Sequence, residues 1–530
     1  MHSLAYETNS KIGRKESFRV KRKIAKKLAQ RKRKIRKRLD KRSLPEEPRP
    51  MLNPGRIQYE IADRTRGITC GGIGAVQMLV QKLGLDKAID SRLRIFKLHN
   101  PYFESDHVLN IAYNILCDGD CLEDIEKLRN DETYLDAVGA ERIPDPTTAG
   151  DFCRRFSSEH VEILQDIIND IRLKVWAQQD PVFFKEAVID ADGTIAPTTG
   201  ECKEGMDISY QGLWGYHPLL VSLSNTGEPL YLCNRSGNCT SSKDAARYLD
   251  RAAAVCLQAG FMKIRFRGDT DFSQTAYLDG WDQKGITFVF GINAMPNLVQ
   301  IAETLPETVY ADLSRPPRYT VKTVPRSKPV NVKEQIVKER GYQNIRLCSE
   351  QTAEFEYRPV KCQTSYRIVV LRKNLTVEKG EQALFDDIRY FFYITNDRKS
   401  SRAEIVRQAN NRCNQENLIA QLKSGVNAMK LPVDNLVSNW AYMVMASLAW
   451  NLKAWYALLL PVSNRWKDQH ERQKQKILRM EFKTFRKYFV TLPCQIVKTG
   501  RRLLYRLLGW NEYLDAFFRA MDSFCRPLRC

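Results

Sequence analysis

The sequence predicts a mixed α/β protein, in which a mixed β-sheet flanked by helices is interrupted by a β-rich insertion. A helical domain precedes this core and a mostly helical, basic region follows it. Three observations support that class. Apolar residues recur at helical spacing from Gly71 to about Gln179, as in Val76, Leu79, Val80 and Leu83, and again in Val108, Ile111, Ala112 and Ile115. From Ala187 the pattern changes to short β-forming runs bounded by turns, in the order three strands, helix, strand, helix, strand. Residues 293–384 break that alternation, with Pro296, Pro306, Pro316, Pro317, Pro325 and Pro329 followed by short strands such as Tyr366–Leu371.

Taken in order, the chain opens with a basic arm over residues 1–50, closed by Pro45, Pro48 and Pro50. Between Lys11 and Arg42, eighteen Lys or Arg face two acids, an excess of 16 out of the net +22, so only +6 remains for the other segments. A charge so concentrated implies a polyanionic partner, nucleic acid ahead of an acidic membrane surface. Ile24, Leu28, Ile35 and Leu39 have helical spacing, yet like-charge repulsion is expected to leave the arm disordered in water. It reads equally as a solubilising anchor or as a DNA-binding element.

Residues 51–180 form the helical domain and the expected DNA-binding unit. Within it, Pro144–Phe152 reads as a turn and a capped helix, with Thr148 and Asp151 spaced as a capping box. Arg154, Arg155 and His160 would give that helix a basic face, and Arg154 and Arg155 are candidate DNA contacts. Gly71-Gly-Ile-Gly74 follows no clear strand and lacks a third glycine, which argues against a dinucleotide loop.

The first part of the core, 181–292, contains strands Ala187–Asp192, Pro218–Leu223 and Pro229–Cys233, the last two joined by a turn at Asn225-Thr-Gly227. A helix over Ser241–Ala259 should stop at Gly260, and strands at Lys263–Arg267 and Ile286–Phe290 follow. The insertion spans 293–384. The core resumes over 385–455 with a strand at Tyr390–Thr395 and a helix from Ser401 to Lys423, and residues 456–530 form the basic C-terminal region.

Other function classes are disfavoured by composition. The 530 residues allow about three or four domains, and 43% hydrophobic with 28% charged residues is a globular balance. The fourteen cysteines include no C-x-x-C pair and no histidine spaced to complete a zinc site, so free thiols are expected. The longest uncharged run, Asn435–Leu452, is interrupted by Ser438, Asn439, Ser447 and Asn451, and is expected to be a buried core helix rather than a membrane span. With no secretory signal, the protein is expected to be cytoplasmic.

Carboxylates suggest the chemistry. Strand alternation points Asp190 and Asp192 to one face, with Asp192 at the strand's C-terminal end. Asp269 follows a strand that comes after a crossover helix, and such a strand commonly packs beside the first. Clustered acids repel unless a cation lies between them, and oxygen ligands favour Mg²⁺ or Mn²⁺. In Asn411–Lys423, helical periodicity puts Arg412, Glu416 and Lys423 within about 40° of one another. That stripe is either a solvated ion-pair face or a metal-binding acid beside two phosphate-binding cations.

The Arg412, Glu416 and Lys423 spacing resembles the Tyr-Arg-Glu-Lys signature of DDE transposases from bacterial insertion sequences. Ile189–Thr194 and Arg267–Phe272 resemble that family's two aspartate motifs. Cys117–Asp124, Pro144–Phe152 and Gly215–Leu220 are similar to the insertion-sequence 1380 group, over about residues 65–455. The resemblance implies an RNase H-like mixed sheet with a β-strand insertion. It also implies a catalytic, metal-binding triad of Asp192, Asp269 and Glu416 holding two Mg²⁺ ions (or Mn²⁺), with Arg412 and Lys423 as DNA-phosphate contacts. Asp190 is the alternative first ligand. The signature's tyrosine falls at Ala409, a departure from the pattern. Implied partners are double-stranded DNA, both transposon ends and target, and a second copy of the chain; no membrane partner is implied. The activity implied is metal-dependent excision and strand transfer of an element bounded by terminal inverted repeats.

Overall fold

The computed structural model describes residues 22–38, 66–99, 101–200, 202–315, 332–380, 382–499 and 502–528. The main helices of its helical unit are α1 (Ile73–Leu83), α2 (Leu85–Arg92), α3 (Glu104–Leu116), α4 (Pro146–Arg154) and α5 (Ser158–Trp176), with two short helical segments between α3 and α4. The predicted apolar stripes are its core: Val76, Leu79, Val80 and Leu83 of α1 and Val108, Ile111, Ala112 and Ile115 of α3 are all buried. The capping reading of α4 is corrected. Pro146 fits the first helical position, where a missing N–H costs nothing, so Asp145 becomes the cap and accepts from Thr148 N at 2.9 Å. His160 lies outside α4, in the capping box of α5 with Ser157.

The central sheet has nine strands. Five are contributed by β1 (Ala187–Gly193), β5 (Leu219–Leu223), β6 (Glu228–Cys233), β7 (Ile264–Gly268) and β8 (Thr287–Ile292). Between β1 and β5 lies a separate three-stranded flap of β2 (Ala196–Pro197), β3 (Asp207–Ile208) and β4 (Trp214–Tyr216). β9 (Ala311–Asp312), β10 (Gln343–Tyr357), β11 (Tyr366–Lys379) and β12 (Gln382–Thr395) complete the sheet, in the order β9-β10-β11-β12-β8-β7-β1-β5-β6. β6, β5 and β1 are antiparallel neighbours, whereas β1, β7 and β8 run parallel. This is the expected mixed core sheet. α6 (Ala245–Ala259) crosses from β6 to β7 and ends at Gly260, whose φ of 98° suits glycine. The insertion is continuous with the core sheet: β12 is one long strand whose last residues, Phe392–Thr395, pair with β8.

α10 (Leu436–Leu458), so numbered after α7 (Thr275–Gln283), α8 (Arg402–Asn410) and α9 (Cys413–Ala420), packs against α3, α5 and β6. Its residues from Ser438 to Leu458 are all buried, and no described helix is long and apolar enough to cross a membrane. Behind it the buried Arg172 and Glu228 pair at 3.1 Å, and Trp176 and Trp455 donate to the same carboxylate at 3.0 and 2.9 Å. One acid thereby ties α5, β6 and α10 together.

Two element expectations change. The C-terminal region carries a β-hairpin, β13 (Cys494–Thr499) and β14 (Arg502–Leu507), and Gly67–Ile68 pairs with β13. Within the arm, residues 22–38 are helical rather than disordered: Leu28 packs on the core, and Arg31 donates to the carbonyls of Leu507 and Gly509 at 3.1 and 2.8 Å. Those contacts offset like-charge repulsion. No disulfide forms among the described cysteines.

Candidate active site

The parallel register pairs Asp190 with Arg267, which carries the carboxyl ends of both strands to the same edge. Asp192 lies two residues beyond that pair on β1, and Asp269 immediately follows Gly268 of β7. Asp269 caps a 3₁₀ turn, accepting from Asp271 N at 3.0 Å, so its carboxylate is held at the strand end.

Arg412 joins the two acids. Its Nη1 lies 3.3 Å from Asp192 Oδ2 and 3.6 Å from Asp269 Oδ2. The predicted helix Ser401–Lys423 is broken at this point into α8 and α9, and Arg412 occupies the junction. Glu416 is an exposed residue in the first turn of α9. Its neighbour Gln415 is buried, donates to Leu220 O at 3.2 Å and accepts from Ser222 Oγ. Gln415 therefore clamps α9 to β5, a role that sequence reasoning missed because an isolated glutamine carries no motif. Lys423 donates to Ile195 O at 2.8 Å, from a π-turn over Gln421–Gly425.

Electrostatics mark the site. The Asp192 carboxyl is pushed up to about 7, first by burial and further by the charges of Asp269 and Glu416, while Arg412 pulls it down. Asp269 is raised in the same direction, chiefly by burial, with Arg412 again opposing. Burial lowers Lys423. Asp190 differs from its neighbour: Arg267 grips it with two 2.7 Å bonds and also donates to Ser224 Oγ at 2.8 Å. Its charge is matched inside the protein.

Beside Asp192, Gly193 allows a close approach, since a Cβ there would lie 2.8 Å from His217 Nε2. His217 is buried, with Nδ1 2.8 Å from Cys239 O. It belongs to the Gly215–Leu220 motif, which by itself assigns it no role. The other two expected DNA contacts are not brought to this edge. Arg154 bonds Asp434 and Asp151 at 3.1 and 2.8 Å, and the Arg155 guanidinium lies 5.4 Å over the Phe96 ring.

Among the described residues, no three His, Cys, Asp or Glu side chains form a ready-made cation cage. The donor chemistry nonetheless suits a hard cation: a buried carboxylate, Asp192, and a part-buried one, Asp269, at one strand edge, a third acid nearby, and a guanidinium already placed between the first two.

Sequence comparison decides the family. The family model described as "Transposase DDE domain group 1" matches residues 67–526. The chain is a DDE transposase of group 1. That assignment rests on a match spanning the helical unit, the core, the insertion and most of the C-terminal region. The insertion-sequence 1380 group within these transposases is not established by it. No curated protein matches. A solved piggyBac transposase, in a synaptic complex with hairpin DNA, aligns over 79% of this chain and 81% of that one, at 9% identity and a TM-score of 0.35.

Proposed function

We propose that this transposase excises its own element by metal-dependent phosphodiester hydrolysis and joins the freed ends to target DNA. Asp192, Asp269 and Glu416 are the residues that would hold two Mg²⁺ or Mn²⁺ ions. Such ions supply Lewis-acid activation of an attacking hydroxyl and neutralise charge on the transferring phosphate. The observation that carries the reading is Arg412, which bridges Asp192 and Asp269 at the ends of adjacent parallel strands with Glu416 on the next helix.

The chain's own residues set the stage. Burial, with repulsion from Asp269 and Glu416 on Asp192 and from Asp271 on Asp269, makes both acids costly to ionise alone, so bound positive charge stabilises them. Arg412 supplies that charge in the free protein. With DNA present it turns to the scissile phosphate, and Lys423 supports the backbone on the flap side; both position without reading sequence. The Arg267 pair keeps Asp190 out of metal binding. Recognition of the terminal inverted repeats falls to the helical unit, and the active assembly holds two copies of the chain. Because Arg154 and Arg155 already have partners within the fold, their expected DNA contacts require those partners to be exchanged.

A supercoiled donor plasmid carrying the element's ends, incubated with protein and Mg²⁺, tests the reading. Excision with joining is expected. Cutting without joining would indicate a nuclease, and retardation without cutting would indicate a DNA-binding protein only. Retention of excision by both Asp269→Asn and Glu416→Gln would refute the assigned triad.

A further inference from the structure

The flap that follows Asp192 exposes an unusual amount of apolar surface. Within seven residues, Ile208, Tyr210, Leu213 and Trp214 are 47%, 79%, 44% and 54% exposed. Exposed apolar residues concentrated in this way mark a binding surface more often than scattered ones do. The flap is nevertheless firmly built. Ser209 N donates to Leu213 O at 2.8 Å, Thr198 N donates to Trp214 O at 3.0 Å, and Tyr216 Oη donates to Glu204 O at 2.8 Å. An open groove of about 870 Å³ lies beside it, lined by Thr198, Thr199, Met206, Leu213, Trp214 and the exposed Lys430.

We propose that this groove receives an unpaired nucleobase at a DNA end, stacked on Trp214, with Lys430 against the adjoining phosphate. Three observations favour that occupant. The aromatic face and the thioether of Met206 offer an apolar slot for a flat ring, and stacking on Trp accepts any base. The single cation and the Thr198 and Thr199 hydroxyls suit a phosphate and a sugar. The flap is also continuous with the candidate active site. Its first strand starts at Ala196, four residues after Asp192, Lys423 donates to the Ile195 carbonyl just before it at 2.8 Å, and the Tyr210 ring lies 6.3 Å from His217, whose Nε2 faces Gly193. A strand cut at Asp192 thus has an aromatic shelf within one flap's reach.

The inference rests on the DNA-end reaction proposed above, so its test separates the two. Full-length Asp269→Asn protein is titrated, without divalent metal, with two fluorescent 20-base-pair duplexes, one blunt and one bearing four unpaired thymidines at a 3′ end. The extended duplex is expected to bind more tightly. Trp214→Ala should remove that preference by lowering affinity for the extended duplex about tenfold or more, while blunt-duplex affinity stays unchanged. Trp214→Phe, which preserves a stacking face, should retain most of the preference, and Lys430→Ala should weaken extended-duplex binding with a shallower salt dependence. Equal binding of both duplexes by the Asp269→Asn parent, or equal losses on both with Trp214→Ala, would overturn the proposal. Absence of excision by the wild-type protein in the donor-plasmid assay, with the preference intact, would count only against the reaction. Normal excision with no preference would count only against the groove.

Discussion

Asp190 and Asp192 stand two residues apart on one strand, and burial raises both carboxyls, but their charges are met differently. Asp190 is buried with its charge met by Arg267, whereas Asp192 is buried beside two other acids and shares one guanidinium with Asp269. Replacing each should separate stability from activity. Asp190→Ala leaves Arg267 buried without its counter-ion, and thermal or denaturant unfolding should report a loss of about 3–5 kcal/mol. Asp192→Asn removes a carboxylate that burial and repulsion penalise, so its melting temperature should stay level or rise while excision disappears. A destabilised Asp192→Asn protein would show that this carboxylate serves the fold. The pairing of Asp192 with Asp269 was legible in the sequence, because alternation and the crossover rule together place two strand-end acids at one edge. Arg412's position between them was not, since helical spacing reports the face a residue shares but not what lies opposite.

At the scale of elements, long regular segments were readable and short ones were not. β1, β5, β6 and β7 lie within a residue of their expected bounds as short apolar runs buried on both faces, and α6 ends at Gly260 as expected but begins at Ala245 rather than Ser241. β2, β3 and β4 have two or three residues each, too few for any period to register, and the β13–β14 hairpin packs Leu503, Tyr505 and Leu507 on the core at alternate positions, a short pattern masked by the basic residues around it. α10 was legible as a core helix through its uncharged run, and it carries one buried cation just beyond that run. Lys453 Nζ donates to Leu478 O at 2.7 Å and lies 3.8 Å from the Trp450 ring centre, and burial lowers its pKa to about 7. The unfolded chain keeps this proton up to about 10.4. Between those values the unfolded state therefore binds more protons, so stability rises with pH; below about 7 the folded protein bears the full cost of a buried ammonium. Lys453→Met should raise the melting temperature at pH 6 by several degrees and flatten its rise between pH 7 and 10. An unchanged slope would mean that Lys453 does not cause it.

For the whole molecule, the asymmetry of charge is the governing feature. Most of the net +22 lies in the arm, while the candidate active-site edge presents carboxylates. Arg31 is tied to the C-terminal hairpin, but its neighbours along residues 22–38 remain mostly exposed and available to a duplex. Removing residues 1–50 should therefore flatten the dependence of log affinity on log salt, by about 0.9 for each phosphate that the arm neutralises. A slope equal to that of the full chain would take the arm out of the DNA interface. The mixed sheet class followed from the sequence because its longer strands announce themselves locally. The union of β10–β12 with the core did not, since pairing between β12 and β8 joins residues about a hundred apart.

The most direct measurement is a count of Mn²⁺ ions bound by the protein on an uncut element-end duplex, read by electron paramagnetic resonance of the free ion. The wild-type complex should take up two ions per active site, and Asp192→Asn, Asp269→Asn and Glu416→Gln should each lose at least one while still binding DNA. Undiminished Mn²⁺ uptake by all three variants would contradict the assignment of these acids as the metal-holding triad.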